Sequence, residues 1–212
     1  TYFGLLAAKA APLGYEPEAL ISAILSGTKA MAMNDGTKTN EAVFWDKFAE
    51  LFGEESRAHQ STINDFYRVE FNQTRQHCFP TEKARKAVEI AKSRGFRVAL
   101  ATNPIFPAIA TENRIRWAGF ELDDFELYTT YETFNAAKPN PRYFVEFARR
   151  MGLEPSECAM IGNDATEDMA AAKAGMTVFI LTDCLLNRDN LDLSNVPHGS
   201  FEELFKFIET LA

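Results

Sequence analysis

From residue 79 onward the chain alternates between two kinds of segment, and this restricts its fold more than any other feature. Thr81 can cap a helix that runs to residue 94, where Gly95 stops it. An apolar burst follows, Phe96-Arg-Val-Ala-Leu-Ala-Thr102. The pattern then predicts a helix over 107–117, a strand over 125–130 and a helix over 139–151. A short buried strand over 158–161, a helix over 165–174 ended by Gly175 and a strand over 177–182 come next. His198 lies near a short last strand, and a helix over 201–211 finishes the run. Strands separated by helices require crossover connections, hence a parallel sheet with helices on both faces. The expected class is α/β with a Rossmann-like core over residues 79–212.

Residues 1–78 read differently. Helical spacing appears over 2–13, 18–33, 40–52 and 54–71, with breaks at Pro12/Gly14, Asn34-Asp35-Gly36 and Gly53. Trp45, Phe48 and Phe52 recur at intervals of three and four, as one helix face requires. Four short helices with brief links predict a small bundle joined to the core near Phe79-Pro80. The apolar opening at 2–7 lacks a basic leader and is interrupted by Lys9, so it reads as a buried helix.

Charge and cysteine content narrow the partners. Thirty acidic against 22 basic residues give a net charge of −8, which disfavours nucleic acid and anionic lipid as partners. No apolar run approaches the ~18 residues of a membrane span. Cys78, Cys158 and Cys184 are odd in number and far apart, as expected of reduced thiols in a cytoplasmic protein. His59, His77 and His198 have no neighbours at metal-ligand spacing and read as surface or packing residues.

Chemistry in such a sheet gathers beyond the carboxyl ends of its strands. One end carries Thr102-Asn103, the next segment offers Lys138-Pro139-Asn140-Pro141, and the third presents Gly162-Asn163-Asp164 with Asp168 four residues on. A hydroxyl, an ammonium and carboxylates from three segments suit phosphoryl transfer, whose transition state spreads negative charge over several oxygens. The hydroxyl and the lysine would bind phosphoryl oxygens, and the carboxylates would hold Mg²⁺. Each residue alone has a plainer reading: Thr102 and Asp164 as helix caps, Lys138 as a solvated loop residue, Asp168 as a first-turn acid.

The ordered set resembles the haloacid dehalogenase-like hydrolase superfamily, and residues 1–78 resemble the helical cap of its phosphoglycolate-phosphatase-like branch. The resemblance implies a Mg²⁺-dependent phosphatase that works through an aspartyl-phosphate and takes a small phosphorylated metabolite, as a monomer or homodimer. It assigns phosphoryl binding to Thr102 and Asn103, charge stabilisation to Lys138, and the metal to the Asn163/Asp164/Asp168 segment. Asp164 is favoured as direct ligand, with Asp168 as second ligand or support behind it. In many relatives an Asp follows the strand glycine, where this chain has Asn163.

The family's opening Asp-x-Asp-x-Thr, which supplies the nucleophile and the general acid/base, does not occur in the 212 residues. Met33-Asn-Asp35-Gly36-Thr37 is its only echo, with Met at the nucleophile's place. The expectation is that the motif and its central strand lie upstream of Thr1. Two other functions compete: a metal-free 2-haloacid dehalogenase, and a catalytically silent binding module if the motif is truly absent. No G-x-G-x-x-G occurs, which disfavours a dinucleotide-binding protein. The polar loop Asn34–Lys38 is a candidate specificity loop within a cap that closes over the site.

Overall fold

The computed structural model describes residues 2–211. They divide into two compact units, one built from residues 2–80, 102–122 and 129–137, the other from 81–101, 123–128 and 138–211.

The first unit is helical. It contains α1 (Tyr2–Ala10), α2 (Pro17–Ala32), α3 (Asn40–Phe52) and α4 (Gln60–Arg68), and further along the chain Ala108–Trp117. Pro17 sits in the first turn of α2, where its missing N–H costs nothing. Gly27 lets α2 lie against α3: a Cβ there would meet the Phe44 ring at 2.5 Å. Thr39 caps α3 by accepting from the Ala42 N–H, and Gly53, at a φ of 87°, ends it. The interior is aromatic. Phe48 and Phe66 are fully buried, each worth roughly 1.5–3 kcal/mol by removal from water.

The helix expected over 54–71 is broken. Glu54–His59 and Glu70–His77 are 3₁₀ turns on either side of α4. Polar side chains divert the backbone there: Ser56 Oγ donates to the Gly53 carbonyl at 2.7 Å and Asn72 Nδ2 to the Arg68 carbonyl at 2.7 Å. Such local bonds compete with the α-helical ladder. The Met33–Thr37 echo is a turn after α2. Asn34 Oδ1 accepts from the Gly36 N–H, and Asp35 Oδ1 from the Thr37 N–H.

The second unit holds α5 (Glu82–Ser93), then, numbering Ala108–Trp117 as α6, α7 (Pro141–Arg150), α8 (Ala165–Asp168) and α9 (Phe201–Thr210). Its sheet has three strands in the order β1 (Ala159–Gly162), β2 (Thr177–Leu181) and β3 (His198–Gly199), all parallel, with Ile161 opposite Phe179 and Ile180 opposite His198. Phe179 and Leu181 join Phe201, Leu204, Phe205 and Ile208 of α9 in one apolar cluster, flanked by α5. Val178 and Ile180, on the opposite face by strand alternation, are also buried. The parallel α/β class expected from the alternation is present.

The segments expected as strands over 96–102 and 125–130 meet only at one parallel bridge, Leu100 with Tyr128. Two bonds support it, Leu100 N–H to the Leu127 carbonyl at 2.8 Å and Glu126 N–H to the Val98 carbonyl at 2.9 Å. Among the described residues this strip gains no third strand, and β1 pairs along one edge only, with β2. Ile161 of β1, apolar and in a parallel strand, is 38% exposed.

Candidate active site

Lys138 stands just before α7, and the local sequence fixes it there. Pro141 opens the helix and Asn140 caps it, its Oδ1 accepting from the Arg142 N–H at 3.0 Å. The Lys138–Pro139 bond is cis. The lysine side chain is 5% exposed and runs 5.7 Å from the Tyr143 ring centre and 5.9 Å from that of Phe144. Its Nζ donates to Asp168 Oδ1 at 2.6 Å, and the Asp168 side chain is 6% exposed. A buried ammonium needs such a partner, since desolvating an unpaired charge is prohibitive.

Asp168 is committed twice. Its second oxygen accepts from the Asp164 N–H at 3.0 Å. Asp164, half-buried, caps α8 by accepting from the Glu167 N–H at 3.0 Å through Oδ1. Gly162 is required by this packing: a Cβ there would fall 2.0 Å from Asp168 Oδ2. The end of β1, the first turn of α8 and the segment before α7 thus bring Lys138, Asp164 and Asp168 together within one unit. Asn163 points its amide elsewhere, donating from Nδ2 to the Cys184 carbonyl at 2.8 Å while its backbone carbonyl accepts from the Leu186 N–H. It anchors the segment after β2. Among the described residues, no three or more His, Cys, Asp or Glu side chains gather as a self-sufficient metal cage.

Thr102 and Asn103 belong to the helical unit. Thr102 Oγ1 lies 3.2 Å from Thr129 Oγ1, and the Thr129 hydroxyl donates to the Thr102 carbonyl at 2.7 Å. Asn103 turns the chain by accepting the Ile105 N–H at its carbonyl. Thr129, fully buried, was not among the residues expected from sequence. Its position in the strand-like run 125–130, as a hydroxyl among apolar residues, was the available signal. His59 accepts or donates at Nδ1 with the Tyr15 hydroxyl at 2.5 Å, a packing role within the helical unit.

Comparison with known proteins gives three findings. Residues 8–175 match the profile of the haloacid dehalogenase-like hydrolases. The chain is similar to a putative phosphatase, YhcW, of Bacillus subtilis, 30% identical over 105 residues that cover 48% of this chain and 46% of that one. It is also similar to the glyceraldehyde 3-phosphate phosphatase of Methanothermobacter thermautotrophicus, 29% identical over 123 residues covering 57% of this chain and 53% of the relative. It therefore spans about half the length of these curated relatives. In fold it resembles the L-2-haloacid dehalogenase RSc1362, with a TM-score of 0.58 at 14% identity over 97% of this chain and 92% of the other. β-Phosphoglucomutase of Clostridium difficile gives 0.55 at 18% identity over 98% and 92%. The parallel sheet, the acids at the end of β1 and the match over residues 8–175 agree: this chain belongs to the haloacid dehalogenase-like hydrolase family.

Proposed function

We propose that the protein is a phosphatase of small phosphomonoesters, dependent on Mg²⁺ and working through an aspartyl-phosphate. The observation that carries this reading is the buried Lys138–Asp168–Asp164 chain at the end of β1. A lysine held in low dielectric by one carboxylate is preorganised to stabilise charge that develops on a transferring phosphoryl group. The names of the two curated relatives, both phosphatases, support the reaction class.

The donor set fits the metal. Mg²⁺ takes one or two carboxylates and keeps waters and phosphate oxygens for its remaining positions. Asp164 would hold it through Oδ2, with Asp168 behind it as a support for both Asp164 and Lys138. Bound there, the ion would supply charge neutralisation for the phosphoryl oxygens. The family resemblance would further assign phosphoryl binding to Thr102 and Asn103, through the hydroxyl and the amide. Lys138 would donate to the phosphoryl oxygens and orient the nucleophile. That nucleophile is an aspartate which the 212 residues do not present in an Asp-x-Asp setting. The three free cysteines agree with a reducing, cytoplasmic setting.

The test is phosphate release from p-nitrophenyl phosphate by the full chain, with Mg²⁺ and with excess EDTA, beside halide release from a 2-haloacid. Phosphate release that EDTA abolishes is expected. Undiminished hydrolysis in EDTA contradicts the metal assignment, and halide release contradicts the reaction class.

A further inference from the structure

Asn40, the first residue of α3, is completely buried, and its side-chain amide and backbone N–H are all hydrogen-bonded. Its Nδ2 donates to two backbone carbonyls far away in sequence, Pro104 at 3.1 Å and Ala136 at 3.0 Å. Its Oδ1 accepts from Asn34 Nδ2 at 2.8 Å. Its backbone N–H donates to the Phe134 carbonyl at 2.8 Å, and the next N–H, of Glu41, donates to the Tyr131 carbonyl at 2.8 Å.

The first turn of a helix leaves its N–H groups without intrahelical partners. Here the first two are spent on the chain segment 131–134, and the third is satisfied by Thr39 Oγ1. The start of α3 is thereby fastened to backbone that runs directly into two functional positions. Pro104 follows Thr102-Asn103 by one residue, and Ala136 precedes Lys138 by two. A short side chain that bonds both carbonyls at once fixes the separation of those two points. Only an amide does this, because it offers two hydrogens in a fixed plane with an acceptor beside them. The acceptor side is braced in turn. Asn34, 5% exposed, also donates to the Lys38 carbonyl at 2.9 Å and accepts from the Gly36 N–H at 3.0 Å. Asn135 Nδ2 reaches the Gly36 carbonyl at 3.2 Å.

We propose that Asn40 is a positioning residue: its amide clamps the backbone at Pro104 and Ala136, within the helical unit, and so sets where Thr102-Asn103 stands for the reaction. The proposal rests on the phosphatase reading. It also gives the loop 34–38 a part in catalysis through Asn34, which holds the amide of Asn40 in the required orientation.

The experiment compares wild-type full chain with Asn40→Ala and Asn34→Ala, using steady-state hydrolysis of p-nitrophenyl phosphate and hydrogen exchange read by segment. Asn40→Ala is expected to lower kcat about 10- to 100-fold, the scale of a misplacement of about 1 Å, with KM changed far less. Exchange should rise over 103–106 and 131–137 and stay unchanged over β1 and β2. Asn34→Ala keeps both bonds from Asn40 Nδ2 and should show a smaller loss of kcat in the same direction, which serves if Asn40→Ala does not fold. Wild-type kcat in Asn40→Ala, or unchanged exchange over 103–106 and 131–137, overturns the clamp. An inactive wild type instead refutes the phosphatase reading, and the exchange result still decides the clamp.

Discussion

The buried pair Lys138–Asp168 gives the most quantitative prediction. At 2.6 Å between Nζ and Oδ1, and with an effective dielectric constant near 20, the gross attraction is about 6 kcal/mol. Desolvating each ion costs several kcal/mol, so the intact pair contributes little net stability. Breaking it is different. Lys138→Met leaves the Asp168 carboxylate buried at 6% exposure with one N–H partner, that of Asp164. The expected loss is about 3–5 kcal/mol. The double variant Lys138→Met/Asp168→Leu removes both charges and should recover most of this. It keeps a penalty of about 1–3 kcal/mol because the Asp164 N–H loses its acceptor. Urea unfolding followed by far-UV circular dichroism measures both. Fluorescence is the wrong probe, since Trp45 and Trp117 both lie in the helical unit and the ion pair in the other. A loss under about 1 kcal/mol for Lys138→Met, the value of a solvated surface pair, would refute the buried-pair argument. So would a double variant less stable than the single one.

Two further perturbations follow from the geometry. Gly162→Ala places a methyl where Asp168 Oδ2 now lies, at 2.0 Å, so the carboxylate must leave Lys138 or Asp164. About 1–3 kcal/mol should be lost together with most of the activity, and wild-type turnover in Gly162→Ala would contradict the role given to Asp168. In the helical unit, burial pushes the Tyr2 phenol up to about 12, partly offset by its 2.7 Å hydrogen bond to Tyr67. The folded state therefore holds that proton more tightly than the unfolded chain, whose phenols titrate near 10. The associated stability, roughly 3 kcal/mol, is full below about pH 10 and falls as pH rises toward 12. Urea unfolding monitored by tryptophan fluorescence across that range should show the fall, and Tyr2→Phe should make it shallower without abolishing it, because burial also raises Tyr67 and Tyr131; a flat wild-type profile would contradict the burial effect.

The sequence made the parallel core legible wherever an apolar burst was bounded by glycine and a capping residue. Residues 177–182 and 201–211 are such stretches, the latter opened by Ser200 and Glu203 as a reciprocal cap. It failed where a segment's state depends on a neighbour. Residues 96–102 have strand composition, yet a strand is defined by its ladder, and among the described residues Leu100 bridges only Tyr128. Residues 54–71 have helical spacing, but Ser56 and Asn72 bond the backbone locally and break the run. In the candidate site the residue types and their order were legible, whereas their pairing was not. Lys138 and Asp168 are 30 positions apart, and spacing says nothing of an ion pair at that range. The two bonds of Asp168, to Lys138 Nζ and from the Asp164 N–H, likewise could not be read from the spacing of the residues. Asn40 was invisible for the same reason. A polar residue at a helix start reads as an ordinary first-turn residue, and only the distant carbonyls of Pro104 and Ala136 give it another meaning.

The central proposal is that Lys138, Asp164 and Asp168, gathered in one unit, make the phosphoryl and metal site. A crystal structure of the full chain grown with Mg²⁺ and orthovanadate tests it most directly. The account predicts a single vanadate with Lys138 Nζ within hydrogen-bond distance, and the ion bound through Asp164 Oδ2. Vanadate bound away from Lys138, or a metal held without Asp164, would contradict it.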